Sequence, residues 1–341
     1  MGSTPYLHLD VEVMQANIDA MAEHASRHAM TLRPHVKTHK SPAIAELQLA
    51  AGARGLTVAT IGEAEVFASV CTDLFIAYPL WVDEDAAARL IALGEAGVRL
   101  RVGCDSLNAG RNLVGLPVEV LIEIDSGHHR SGVTPETAGD LAAGLAARGL
   151  SVLGVFTFPG HSYSPGSGQS AAVDETDALR AAATSLRQAG IDPVVISGGS
   201  TPSASFTTEV STELRPGVYV FGDAQQVELG TIPIDQVALT VVATVVSHAG
   251  GRVICDAGSK ALAADRAPWA SGYGRVLSEP DARVIALSEH HATIAWPGDL
   301  PALGSTVRLI PNHACNAVNL ADSYQLSNGE VWPITARGRN N

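Results

Sequence analysis

The sequence predicts an α/β protein: a closed (β/α)8 barrel of the TIM type, followed by a mainly β domain at the C-terminal end. Three observations carry that expectation. Eight short apolar strand candidates alternate with Ala- and Leu-rich helical stretches before Gly230, the pattern of a parallel barrel. After Gly230, β-branched runs are broken by Gly, Pro and Asp turns with no helical period between them. Hydrophobic residues make up 46% of the 341 residues against 17% charged, enough apolar side chain for two cores.

Taken in order, residues 6–10 alternate as a strand and 11–28 form an amphipathic helix, with Val13, Ile18, Met21 and Ala25 near one face. The barrel strands are expected at 32–36, 56–59, 74–77, 98–102, 118–124, 152–158, 193–196 and 218–221. Helical stretches such as 84–96, 135–148 and 171–188 separate them. The barrel domain thus spans 11–230. The β domain spans 231–341, with strands at 238–248, 252–256, 284–287, 292–295, 305–309 and 331–335.

The formal net charge of −13 argues against nucleic acid or an anionic membrane as partner. Cys71, Cys104, Cys255 and Cys315 form no CxxC pair, the usage of a reducing compartment. The N-terminus lacks the basic flank and apolar run of a signal peptide. The longest apolar stretch, 237–246, is too short to span a bilayer. A soluble cytoplasmic protein is expected.

The chemistry centres on Arg33-Pro34-His35-Val36-Lys37-Thr38-His39-Lys40. Lys37 falls where a strand ends and a helix begins, on the face of a barrel where active sites are built. Crowding by Arg33, His35, His39 and Lys40 should disfavour its ammonium form and favour a nucleophilic amine. The same string also reads as a solvated basic turn that binds an anion. Arg130, in the run Asp125 to Gly132 after an apolar strand, suits an oxyanion such as a phenolate, or else pairs with Asp125. His161 and Tyr163, in Phe158-Pro159-Gly160-His161-Ser162-Tyr163, offer acid/base groups or anion contacts, or lie on an ordinary Gly-Pro loop. Ser197-Gly198-Gly199-Ser200-Thr201 at a late strand end reads as a phosphate cradle or as a glycine turn. His313 and Cys315 fall on one side of an extended chain. An imidazole and a thiolate suit zinc, although an HxC pair alone is not a metal motif. Asp256 to Lys260, with Asp265, reads as an ordinary polar turn or as a turn contributing to a dimer or to substrate access.

Together the RPHVKTHK string, the GHHRSG and GHSY runs, SGGST, the RPG before Val218 and the HAC segment resemble the D-serine dehydratase and D-threonine aldolase family. These are fold-type III pyridoxal-phosphate enzymes with an alanine-racemase-like barrel. The resemblance implies that Lys37 carries pyridoxal 5'-phosphate as a Schiff base, with His35 and Tyr163 as further catalytic candidates. It implies that Arg130 meets the cofactor's phenolic oxygen. His161, Tyr163, Ser197, Gly198, Gly199, Ser200, Thr201 and Tyr219 would contact the cofactor, and His313 with Cys315 would hold Zn2+. Arg215 matches the family only through the short RPG pattern, and Asn316 stands where the dehydratases are expected to carry proline. The first strand, residues 1–10, is expected to join the β domain. The implied activity is dehydration of a β-hydroxy D-amino acid, D-serine to pyruvate and ammonia. Retro-aldol cleavage of D-threonine is the alternative. A racemase has no need of the His-x-Cys pair, and a non-catalytic cofactor carrier lacks the β domain. A homodimer is expected by analogy.

Overall fold

The computed structural model describes residues 3–206 and 209–341, which divide into two compact units. Met21–Lys37, Ile44–Gly217 and Arg339–Asn341 make up one; the segment ending at Ala20, Thr38–Ala43 and Val218–Gly338 make up the other.

The first unit is an eight-stranded parallel sheet. Its strands are Thr31–Leu32, Leu56–Val58, Asp73–Pro79, Arg99–Cys104, Val118–Glu123, Ser151–Phe156, Val195–Gly198 and Glu213–Leu214, each hydrogen-bonded to the next, except that the first two meet through one bridge. There the Thr57 N–H donates to the Pro34 carbonyl at 2.8 Å and His35 bridges Thr57; the last strand returns to pair with the first at Leu32↔Leu214. The backbone ladder to the closing strand runs on past Leu32: the Thr31, Arg33 and His35 N–H groups donate to the Thr212, Leu214 and Pro216 carbonyls at 3.0, 2.9 and 2.9 Å. Pro34, which has no N–H, falls at the alternate position, where this ladder requires none.

Seven of the predicted barrel strands overlap an observed one. The eighth does not: Val218–Val220 is a 3-10 turn, and the closing strand is Glu213–Leu214. Val218, Tyr219, Val220 and Phe221 are all buried, so the run has no alternation by which sequence could tell a strand from a buried turn.

In the second unit, Leu239–Ser247 pairs antiparallel with both Val253–Cys255 and Thr306–Pro311. The chain of neighbours through Ala292–Ala295, Glu279–Leu287 and Gly274–Val276 closes a six-stranded antiparallel barrel. Tyr6–Leu9 lies beside Leu239–Ser247, and Ser323–Leu326 and Val331–Pro333 extend the sheet beyond it. Leu7 and Leu9 face inward, as the alternation requires. The contacts divide the chain elsewhere than at residues 10 and 230: the first half of helix Val11–Arg27 and the stretch from Val218 onward group with the β unit. The strands Gly274–Val276 and Ser323–Leu326 and the short helices Ser259–Leu262 and Ala314–Val318 were too brief to register as periodic patterns.

Candidate active site

In the barrel unit, Lys37 sits in the turn Val36–Thr38 just past the first strand. Its Nζ lies 5.9 Å from the centroid of the Phe158 ring, and the Arg130 guanidinium carbon lies 5.3 Å from the same centroid. Phe158 follows the strand Ser151–Phe156 and so brings both cations to one rim of the barrel. The Tyr163 ring centroid is 6.1 Å from that of Phe158. Arg130 does not pair with Asp125; its guanidinium stands 3.8 Å from Glu123. Asp125 instead accepts from the Gly127 and His129 N–H groups and from the His129 ring. Burial works against ionisation of Asp125, but these hydrogen bonds hold its carboxyl below the usual range.

Of the basic residues expected around Lys37, Arg33 is engaged elsewhere. Arg33 is 2% exposed and points into the barrel, its Nε 2.6 Å from Glu213 and its Nη1 2.9 Å from Asp73. Its charge is neutralised there. His39 and Lys40 belong to the other unit, both buried. The His39 ring accepts from the Ser41 N–H, and its carbonyl accepts from the Tyr324 hydroxyl at 2.5 Å. Lys40 adopts φ 52° and its carbonyl accepts from the Ala336 N–H. These two residues turn the chain within that unit. His35 contributes its backbone to barrel closure, as described above.

The glycine loop is built differently from the sequence expectation. The Ser197 hydroxyl donates to Glu213 at 2.7 Å and accepts from Arg215 Nε at 2.7 Å, so it serves the barrel interior and not an anion at the rim. Arg215 is likewise interior, its guanidinium carbon 5.5 and 5.4 Å from the Phe75 and Phe156 ring centroids and bonded to the Thr157 carbonyl. The Gly199 N–H donates to Glu175 at 2.5 Å. A Cβ on Gly198 would stand 2.1 Å from that same carboxyl, and one on Gly199, at φ +85°, would stand 2.2 Å from Leu214. Both glycines are therefore needed for packing, and Gly199 also for its left-handed backbone. What remains for an anion is the end of the loop. There Ser200 Oγ bonds Ser203 Oγ and Ser162 Oγ, each at 2.8 Å, with Thr201 buried beside it in the chain. The Ser162 bond joins this loop to the turn Gly160–Tyr163, where His161 Nε2 is 3.2 Å from Asp174. Desolvation raises the Glu175 carboxyl to about 7.

In the β unit, His313 and Cys315 do converge, by a different geometry from an extended chain. His313 is the extended residue before helix Ala314–Val318, and Cys315 lies in its first turn. Asp223 fixes that turn by accepting from the Ala314 N–H at 3.1 Å while capping Ala224–Glu228 through the Gln226 N–H. Cys315 Sγ is 3.2 Å from the Thr38 hydroxyl, and His313 Nδ1 is 2.7 Å from Asp265 Oδ2. Burial alone would lower the His313 imidazole; the Cys315 sulfur and the Asp265 carboxylate raise it well above its ordinary value. Tyr219, 4% exposed, also belongs to this unit.

Sequence reading missed Phe158, Glu175, Asp223 and Thr38 as site residues and did not connect Asp265 with His313. Glu175 carried a signal. It falls on the stripe Ala171, Ala172, Leu179, Ala182, Leu186 that helix Gly168–Gln188 buries, where a carboxylate is out of place.

Residues 9–225 match the family model "Alanine racemase, N-terminal domain", and residues 238–327 match the "Putative serine dehydratase domain". The D-threo-3-hydroxyaspartate dehydratase of Delftia sp. (strain HT23) is 36% identical over 94% of this chain and 93% of its own length. The D-threonine aldolase of Arthrobacter sp is 34% identical over 98% of this chain and 93% of its own. The solved Delftia dehydratase superposes with a TM-score of 0.89 at 34% identity, over 98% of this chain and 97% of that one. Solved variants of a D-threo-3-hydroxyaspartate dehydratase replace a histidine and, two positions on, a cysteine, the latter in the metal-free form. Among the described residues no helix is long and apolar enough to cross a membrane.

Proposed function

This chain belongs to the alanine-racemase-like family of the D-serine dehydratases and D-threonine aldolases, and on that premise we propose that it is a pyridoxal-phosphate- and zinc-dependent lyase that dehydrates β-hydroxy D-amino acids. The observation that carries the reading is the His313–Cys315 pair, whose sulfur is bonded to the hydroxyl of Thr38, the residue after Lys37. A metal-ligating pair is thereby tied to the chain position next to the amine.

The residues fit both groups. Lys37 supplies an amine at the barrel rim, and Ser200, Thr201 and Ser203 supply hydroxyls at the end of a glycine loop, where a phosphate would be held. Arg130, half exposed over Phe158, is available to a phenolate. An imidazole and a thiol, held together and half-buried, the thiol against Thr38, are donors that favour zinc over magnesium or calcium. Bound pyridoxal phosphate supplies the electron sink for a carbanion at Cα, and bound zinc supplies Lewis acidity at the β-oxygen. The chain does the rest. Lys37 Nζ takes the Cα proton, and Arg130 balances negative charge at the rim. The β-hydroxyl leaves as water, and hydrolysis of the resulting enamine gives a keto acid and ammonia.

Retro-aldol cleavage to glycine and an aldehyde is the second reading, favoured by the likeness to a D-threonine aldolase. The cysteine at position 315, the residue type replaced in the metal-free dehydratase structure, favours elimination. Incubation with D-serine, D-threonine and D-threo-3-hydroxyaspartate decides between them. Keto acid and ammonia, lost on chelation and restored by zinc, are expected. Metal-dependent glycine and aldehyde release would overturn elimination, and full dehydration by metal-free protein would overturn the zinc role.

A further inference from the structure

We propose that Asp265 is a positioning residue for the metal pair: its carboxylate accepts the Nδ1–H of His313 and so presents the other ring nitrogen, Nε2, to the ion. The inference rests on the metal reading above and extends it beyond the two ligands.

Four observations converge on it. The Asp265 Oδ2 to His313 Nδ1 distance is 2.7 Å, a charge-assisted bond that occupies Nδ1 and leaves Nε2 as the ring nitrogen to join the neighbouring Cys315 sulfur on a metal. The Asp265 backbone is pinned from the same strand end, its carbonyl accepting from Asn312 Nδ2 at 3.2 Å. The next residue, Arg266, is anchored on the other side, its guanidinium carbon 5.0 Å from the Tyr273 ring centroid. Finally, the turn that delivers Asp265 is strained. Ala263 adopts φ 61°, ψ 174°, a region populated almost only by glycine and strained for other residues. Strain of that kind persists where neighbouring structure dictates the conformation. Here it stops helix Ser259–Leu262 and swings the next residues onto the His313 segment. Asp223 fixes the ligand segment from beneath through the backbone of Ala314, but Asp265 is the carboxylate that touches the ligating ring. Carboxylate partners of metal-bound histidines fix the tautomer and ring orientation, and their loss weakens metal about 10- to 100-fold.

The test is metal affinity, read without turnover. Zinc dissociation constants of the full-length enzyme are measured by competition with a chromophoric chelator for wild type, Asp265→Ala, Asp265→Asn and His313→Ala. Asp265→Ala is expected to weaken zinc about 10- to 100-fold. Asp265→Asn, whose amide oxygen still accepts the Nδ1–H, should weaken it less. Cobalt substitution adds a second readout: at saturating cobalt, Asp265→Ala should keep the near-ultraviolet thiolate-to-cobalt band, because Cys315 still binds. Zinc affinity of Asp265→Ala within twofold of wild type, with His313→Ala strongly weakened, overturns the role of Asp265 alone. Unchanged affinity in His313→Ala overturns the metal site itself. If Asp265→Ala does not fold, Asp265→Asn decides: an affinity intermediate between wild type and His313→Ala supports the role, and one equal to wild type with Nε2 ligation intact removes the need for a charged partner and overturns it.

Discussion

The interior of the parallel barrel and its rim are furnished with the same residue types and treat them oppositely. Inside, Arg33 is locked between Glu213 and Asp73, and Arg101 reaches the same two carboxylates at 3.6 and 3.5 Å. Arg215 extends the network through Ser197. At the rim, Lys37 and Arg130 meet over an aromatic ring, and Arg130 stands 3.8 Å from a carboxylate that Ser131 already occupies. The difference teaches that proximity in sequence to a reactive lysine says little about function. Arg33 is four residues from Lys37 and is held by interior carboxylates; Arg130 is far along the chain and shares the Phe158 ring with Lys37.

The comparison breaks most sharply at Lys37. Lys37→Ala should abolish turnover and the visible absorbance of the bound cofactor, while shifting stability by no more than about 1 kcal/mol, as expected for a partly exposed side chain outside the core. Turnover assays, absorbance spectra and urea denaturation on one preparation check it. An active, yellow variant moves the amine role away from Lys37.

Arg33→Ala should do the reverse. Removing Arg33 leaves Glu213 and Asp73 with only the longer contacts from Arg101, and loss of a buried ion-pair partner costs up to about 3–5 kcal/mol. The expected outcome is a large fall in the denaturation midpoint. Any residual folded protein should retain cofactor absorbance, because Arg33 does not face the rim. If the variant is as stable as wild type but cofactor-free, Arg33 belongs to the site and the division between interior and rim fails.

Much of this arrangement was legible in the sequence. The barrel strands, the first strand's place in the β unit and the Lys37 turn follow from periodicity, Pro34 and the family resemblance. What was not legible depends on partners distant in sequence. Arg33 is silenced by residues 40 and 180 positions away. Ser197 looks like a phosphate donor until Glu213 and Arg215 are placed beside it. The HxC pair converges through a helix turn capped by Asp223, which lies 91 positions from Ala314. No local pattern encodes such pairings; at Glu175 alone the helical stripe announced the conflict.

Glu175 gives the subtlest test of interior against rim. The arginines inside the barrel are neutralised by carboxylates, whereas Glu175 is fully buried with a hydrogen bond from the Gly199 N–H. Desolvation raises its carboxyl from 4.5 to about 7, so over the mildly acidic range the interior holds it protonated where a free carboxyl would ionise. The sign follows by linkage. Below pH 4.5 both folded and unfolded chains carry the proton and no penalty exists. As pH rises, the unfolded chain ionises first, so the folded state loses stability progressively until about pH 7 and no further beyond it. The loss is on the order of 3 kcal/mol. Glu175→Gln keeps an oxygen to accept the Gly199 N–H and has no proton to lose. Relative to wild type, the variant should therefore gain about 3 kcal/mol between pH 4.5 and pH 8, measured as the difference in urea-unfolding free energies at the two pH values. Parallel pH profiles for the two proteins would mean that Glu175 is ionised in the folded state and held by Arg215, placing it with the paired charges of the barrel interior.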